Sequence, residues 1–265
     1  MNTLHIIMPM AGEGSRFKEA GYDTPKPLIK LKDKELYRHA LDSINFDKWL
    51  FITKDIKFKY TFIVRKEFIS DYHIDEEIKK YYPEANILYV EKTTRGALET
   101  VMLAEPYIDD DDMVLVMDCD LEFRCDRFIG YLYYEVTTSK SPLLLSFYSK
   151  DPKYSYCEQL DNDQNTLTEN VVEKKQISTH ALGGCYCVGL GSIFKKCAHQ
   201  VIKDFEDNKL DYKELYLSLV YNYIIKETEQ PVIYIDMNMH KDHYWSYGTP
   251  YDLENYNYDR NIWDV

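Results

Sequence analysis

The first 120 residues alternate short apolar runs with segments of helical periodicity, and this alternation restricts the possible folds more than any other feature. "LHIIMPM" (4–10) is a brief apolar run that stops at glycine-rich sequence, as a parallel strand buried on both faces would. "KELYRHALDSI" (34–44) has helical apolar spacing, "YTFIVRK" (60–66) reads as the next strand, "IDEEIKKYY" (74–82) as a helix and "ANILYVE" (85–91) as a third strand. "GALETVMLAEPYI" (96–108) is a helix opened by Thr93, Thr94 and Gly96, and "DMVLVMDCD" (112–120) is a fourth strand that ends in acids. Strand and helix in this order build an α/β doubly wound sheet, mostly parallel, with helices on both faces. Right-handed crossovers then carry the strand ends, and any ligand, to one edge of that sheet.

Beyond about residue 140 the pattern loosens. "PLLLSFYS" (142–149), "YSYCEQL" (154–160), "LTENVVEKK" (167–175), "LGGCYCVGL" (182–190) and "PVIYIDM" (231–237) read as further strands, with helices near 191–206 and 212–226. No proline- or serine-rich linker interrupts the chain and no hexapeptide repeat follows, so residues 1–265 are expected to form one domain with a mixed, Rossmann-like sheet.

Charge narrows the function classes. Lys and Arg number 32 against 45 Asp and Glu, and the net charge of −13 repels nucleic-acid backbones. An anionic metabolite is still admissible, because a local cluster of cations and amides, reinforced by a divalent cation, can dominate one cleft. The start, "MNTLHIIMPM", has no basic flank and too short an apolar run for a signal peptide or membrane span, so a cytoplasmic protein without a membrane partner is expected. Six cysteines, at 119, 125, 157, 185, 187 and 197, match neither a zinc pattern nor a disulfide framework and read as free thiols; Cys185 and Cys187 share one face of a strand and read as packing.

The glycine-rich turn after the first strand, "MPMAGEGSRFKEAGYDTPKPLI" (8–29), is the chemical focus. It contains no Walker A string, and Gly12 and Gly14 begin a dinucleotide fingerprint whose third glycine is replaced by Phe17. Taken whole, the string resembles the signature loop of the sugar-nucleotide pyrophosphorylases, members of the nucleotidylyltransferase superfamily, and within it the small capsule-biosynthesis enzymes with "GSRF", "AGY" and "PKPLI" in their opening loop. The resemblance continues in order through "TTRGALETVMLAE" (93–105), "VMDCD" (116–120), "VVEKK" (171–175) and "YGTPYDL" (247–253).

That resemblance implies a magnesium-dependent transfer of NMP from an NTP to a sugar 1-phosphate or similar small phosphorylated metabolite, with release of pyrophosphate, for capsule or surface-polysaccharide synthesis. Residues 1–125 would bind the nucleotide and 126–265 the acceptor. Such transfers rely on positioning and on neutralising charge. Backbone amides at Ala11, Gly12 and Gly14 would approach the nucleotide, Arg16 would grip the leaving pyrophosphate through its forked donors, and Lys26 would stabilise charge near the α-phosphate. Pro25 and Pro27 are expected to hold Lys26 in extended backbone. Thr94 and Gly96 match the loop that recognises the base, Asp120 the aspartate that holds Mg²⁺, and Glu173 and Lys174 the pair that contacts the acceptor, with Gly184 in the small-residue strand beneath it. Two positions depart from the pattern: Lys175 replaces the usual proline after "EK", and Ser246 stands where many relatives carry a second metal-binding aspartate.

Asp118 and Asp120, two apart at a strand end, point the same way. Their D-x-D spacing also fits a glycosyltransferase, although that class has no need of a pyrophosphate loop. A third reading keeps the chemistry and changes the acceptor: a CTP-dependent enzyme acting on phosphocholine, glycerol phosphate or phosphoglutamine. A non-catalytic nucleotide sensor would have no reason to keep Arg16, Lys26 and Asp120 together.

Overall fold

The structure, a computed structural model, describes residues 2–44, 55–160, 166–237 and 242–255. Its centre is a parallel block built from β1 (Asn2–Pro9), β4 (Ile56–Arg65), β5 (Asn86–Val90) and β6 (Met113–Met117) in the order β5-β4-β1-β6. The sheet continues through β12 (His180–Leu190), antiparallel to both β6 and β8 (Leu143–Tyr148). Beyond β8 lie β13 (Val232–Asp236), parallel to it, and the edge strand β10 (Leu167–Thr168). β9 (Tyr156–Cys157) and β11 (Val171–Val172) attach beside β12. Strands from both halves of the chain therefore share one sheet, mixed but largely parallel as the alternation predicts.

Burial on both faces explains the unbroken apolar runs. Leu4, Ile6, Met8, Phe62, Val64, Leu115 and Met117 face one core, closed by α2 (Leu36–Asp42), α4 (Ile74–Tyr81) and α6 (Asp126–Thr137). Their neighbours Ile7, Ile63, Val114 and Val116 face the other, closed by α5 (Ala97–Met102), α7 (Gly191–Glu206) and α8 (Val220–Thr228). Cys185 and Cys187 both pack into the first core, and all six cysteines are free and buried.

Several expectations are corrected. The helix read over 96–108 ends at Met102, and a separate 3-10 turn spans Glu105–Tyr107, where Pro106 has no N–H to continue a helix. The helix read over 212–226 begins as a 3-10 turn at Leu217–Leu219 and becomes α-helical only at Val220, because the backbone of Leu215 is bonded to residues 95 and 98 instead. "LTENVVEKK" is two short strands, β10 and β11, rather than one. Between them the Thr168 hydroxyl donates to the Asn170 carbonyl and accepts from the Asn170 amide. The sequence expectations do not include α1 (Ser15–Glu19), the small hairpin of β2 (Lys30–Leu31) and β3 (Lys34–Glu35), α3 (Lys66–Tyr72), α6, or a ribbon in which β7 (Leu121–Arg124) pairs antiparallel with β14 (His243–Ser246). That ribbon carries the chain's late segment back to the end of β6, and so completes the site.

Candidate active site

The C-terminal ends of the parallel strands deliver the glycine-rich loop after β1, the threonine loop after β5 and the acids after β6 to one edge. The first two loops are tied together: Thr93 donates to the Glu13 carboxylate at 2.6 Å, and Arg65, at the end of β4, donates to the Thr93 hydroxyl at 3.2 Å. Gly14 caps the five-residue helix α1 (Ser15–Glu19), which leaves Arg16 exposed.

Lys26 opens a 3-10 turn, Lys26–Leu28, rather than lying in extended backbone. Pro25 before it is extended (φ −53°, ψ 139°), and the amides of Leu28 and Ile29 close the turn on the carbonyls of Pro25 and Lys26. The turn aims the Lys26 ammonium at Asp120, with Nζ 2.7 Å from Oδ2. Burial alone lowers the ammonium's pKa, but Asp120, aided by Cys119 and Asp118, outweighs that and holds it above the ordinary lysine value. Lys26 is therefore a firmly charged cation in a partly dry site.

Asp118 stands on the same side of the strand end. Burial first, then the like charge of Asp120, push its carboxyl up to about 7; Lys26 opposes this and Glu173 adds to it. Room for Asp118 comes from Gly184, which has φ +67°; a Cβ there would lie 2.6 Å from Asp118 Oδ2. Opposite, Glu173 follows β11 and is buried, and its Oε2 accepts hydrogen bonds from the hydroxyls of Ser155 and of Ser218, the latter at 2.6 Å. Lys174, in left-handed backbone, points its ammonium over the Tyr216 ring, 4.9 Å from the centroid.

These residues converge on one cleft of about 340 Å³. Arg16, Lys26, Asp118 and Asp120 line it from the first half, and Glu173, Lys174 and Gly184 from the second. Its wall also holds Lys153 and Asp252, giving four cations against four carboxylates in a chain of net charge −13. The cleft is thus locally neutral and can accept an anion. Ala11, Gly12, Thr94 and Gly96 lie outside this wall, and Gly14 lines an adjoining pocket of about 220 Å³ that shares Lys26. The loop with Thr94 and Gly96 is instead stitched to Leu215, and Ala11 packs into the second core.

Sequence reading missed the aromatic wall of Tyr154, Tyr186 and Tyr244, in which Tyr244 stacks on Phe147 at 4.1 Å. Nothing local distinguishes these from the other tyrosines of a chain with 25. Ser246 also lines the cleft; a Cβ at Gly248 would stand 3.4 Å from Ser246 Oγ and 3.5 Å from Asp120 Oδ2, so the two oxygens flank that glycine.

No protein-family model matches the chain. Among curated proteins, the bifunctional protein GlmU of Methanocaldococcus jannaschii is 25% identical over 132 residues, which is 49% of this chain and 28% of that protein. Among solved structures, a nucleoside-diphosphate-sugar pyrophosphorylase from Vibrio cholerae superposes with a TM-score of 0.73 at 21% identity, covering 94% of this chain and 98% of its own. A putative glucose-1-phosphate thymidylyltransferase from Bacillus anthracis gives 0.70 at 19% identity, with 97% and 94% covered. The inositol-1-phosphate CTP transferase of T. maritima gives 0.66 at 14%, with 98% and 95% covered. The fold implied by the loop resemblance, that of the nucleotidylyltransferases, is the fold of this chain.

Proposed function

We propose that this protein is a nucleotidylyltransferase that moves NMP from an NTP to a sugar 1-phosphate or similar small phosphorylated metabolite and releases pyrophosphate. One observation carries the reading: a charged lysine from the loop after β1 is paired with Asp120, just after β6, in a cleft whose far wall holds Glu173 and Lys174. Residues 1–125 supply the nucleotide side and 126–265 the acceptor side.

In this reading the acceptor phosphate attacks the α-phosphorus and pyrophosphate leaves in line. Ala11, Gly12 and Gly14 offer backbone amides to the nucleotide, while Thr94 and Gly96 border the base. Arg16, exposed at the cleft, binds the pyrophosphate with bidentate geometry. Lys26 exchanges its contact with Asp120 for phosphate oxygens and stabilises the charge that builds in transfer. Glu173 and Lys174 orient the acceptor above Gly184. The donors fit magnesium: Asp120 and Asp118 carboxylates and the Ser246 hydroxyl are hard oxygens. No cluster of three or more His, Cys, Asp or Glu that could hold a metal forms among the described residues, and magnesium takes few protein ligands. When bound, the ion would neutralise phosphate charge; Asp120 would be its main protein ligand.

The loop resemblance supports a role in capsule or surface-polysaccharide synthesis, in the cytoplasm where NTPs are found; no described helix is long and apolar enough to cross a membrane. The T. maritima neighbour's non-sugar acceptor and the aromatic wall favour, as second reading, a CTP-dependent enzyme for another small phosphate. A coupled pyrophosphate assay pairs each NTP with sugar 1-phosphates, phosphocholine, glycerol phosphate, inositol phosphate and phosphorylated amino acids. One pyrophosphate per turnover from a single pair is expected. Consumption of a sugar nucleotide without pyrophosphate would replace the reading by the D-x-D glycosyltransferase.

A further inference from the structure

The segment from Glu214 to Ser218 touches both the loop at 95–98 and the cleft residues Glu173 and Lys174. We propose that it is a strap that registers the acceptor side against the base loop, with Ser218 and Tyr216 as positioning residues for Glu173 and Lys174. The inference rests on the nucleotidylyltransferase reading, which gives the two sides their substrates.

On the nucleotide side, the Leu215 amide donates to the Arg95 carbonyl and the Leu98 amide to the Leu215 carbonyl, both at 2.9 Å. Gly96 lies against the same residue with φ +154°, and a Cβ there would fall 2.5 Å from the Leu215 carbonyl oxygen and 2.6 Å from its nitrogen. Only glycine permits that approach. On the acceptor side, the Tyr216 ring lies under the Lys174 ammonium, and the buried Ser218 hydroxyl donates to Glu173 Oε2 at 2.6 Å. Asn222, one turn on, grips β11 in both directions: it accepts from the Val171 amide at 2.9 Å and donates to the Val171 carbonyl at 2.7 Å.

Residues 214–222 therefore hold the loop at 95–98 with two backbone bonds and a glycine contact. They hold residues 171–174 with a cation–ring contact and three hydrogen bonds. Both hydroxyl donors to Glu173 meet Oε2, which leaves Oε1 with no hydrogen bond among the described residues and free for a ligand in the cleft. A shift of Leu215 away from Gly96 would carry Ser218 with it and turn that carboxylate.

The test is steady-state pyrophosphate release with the NTP and acceptor that the wild-type enzyme uses. Ser218→Ala should raise the acceptor KM on the order of tenfold or more, the scale of one hydrogen bond to a charged group. It should leave the NTP KM within about twofold, since that bond orients only the acceptor side. Gly96→Ala, on the base loop, should raise the acceptor KM as well as the NTP KM. Tyr216→Leu, at a half-buried position, should repeat the Ser218→Ala split and carries the test if Ser218→Ala lacks a cooperative melt. Equal effects on both KM values, a loss confined to kcat, or a Gly96→Ala effect on NTP alone would overturn the strap. A wild-type protein that makes no pyrophosphate from any pair would overturn both the strap and the functional reading, whereas an active wild type with unsplit KM values removes only the strap.

Discussion

Replacing Asp118 by asparagine should stabilise the ligand-free protein at pH 8 and leave its stability almost unchanged at pH 4. Burial, then the charge of Asp120, raise the Asp118 carboxyl from its ordinary 3.8 to about 7 despite the pull of Lys26. A tenfold change in proton affinity corresponds to about 1.4 kcal/mol. The move from 3.8 to about 7 therefore makes ionisation in the folded state up to about 4 kcal/mol less favourable than in the unfolded chain. The folded state binds this proton more tightly, so the stability it contributes is whole below pH 4 and is lost as the pH rises through about 7. Asp118→Asn has no proton to lose. Its advantage should grow from near zero at pH 4 to about 2 to 4 kcal/mol at pH 8, the lower figure allowing for solvent that still reaches the cleft. The comparison must be a difference between the two proteins, because His5 acts in the opposite sense. Burial, then Lys59, lower the His5 pKa from 6.5 to about 4, so its contribution is present above 6.5 and lost as the pH falls through about 4. It cancels between variant and wild type. The assay is urea unfolding of both proteins in low salt and EDTA at several pH values from 4 to 8. A parallel pH dependence, or a variant less stable than wild type at pH 8, would refute the reasoning.

Lys26→Ala should lower kcat on the order of a hundredfold or more while leaving the NTP KM nearly unchanged, because a preorganised cation acts on transition-state charge; near-normal kcat would remove it from the mechanism. Activity should require Mg²⁺ or Mn²⁺, with Asp120→Asn more damaging than Asp118→Asn; equal rates in EDTA and magnesium, or the reverse ranking, would contradict the assignment. Gly184→Ala should lower the melting temperature and the rate together, since its Cβ would stand 2.6 Å from Asp118 Oδ2 in left-handed backbone that alone costs about 1 to 2 kcal/mol. Phosphoanhydride exchange should also run backwards, and Arg16→Ala should raise the pyrophosphate KM in that direction, measured as NTP formed from the product.

The parallel block was legible because burial on both faces demands continuous apolar strands, as in β1, β6 and the second half of β4, while the edge strand β5 is only partly covered. Much of the candidate site was legible too. Arg16, Lys26, Asp120, Glu173 and Lys174 fall in strings long enough to be read in order, and they meet in one cleft. Tertiary structure decided what local pattern does not encode. Periodicity reports which side of a segment is buried, not what covers it: α6 carries helical spacing at Phe128, Ile129, Leu132 and Val136, whereas the β7–β14 ribbon that brings Ser246 beside Asp120 depends on long-range pairing that no local pattern encodes. Helical spacing over 212–216 was overridden because the Leu215 amide and carbonyl found partners at 95 and 98, more than a hundred residues away in sequence. The orientation of Glu173 likewise depends on Ser155 and Ser218, which approach it from separate elements. Residue types at the strand ends fall in ordered strings and so can be read in sequence; their distances and proton affinities depend on which loops the crossovers bring together.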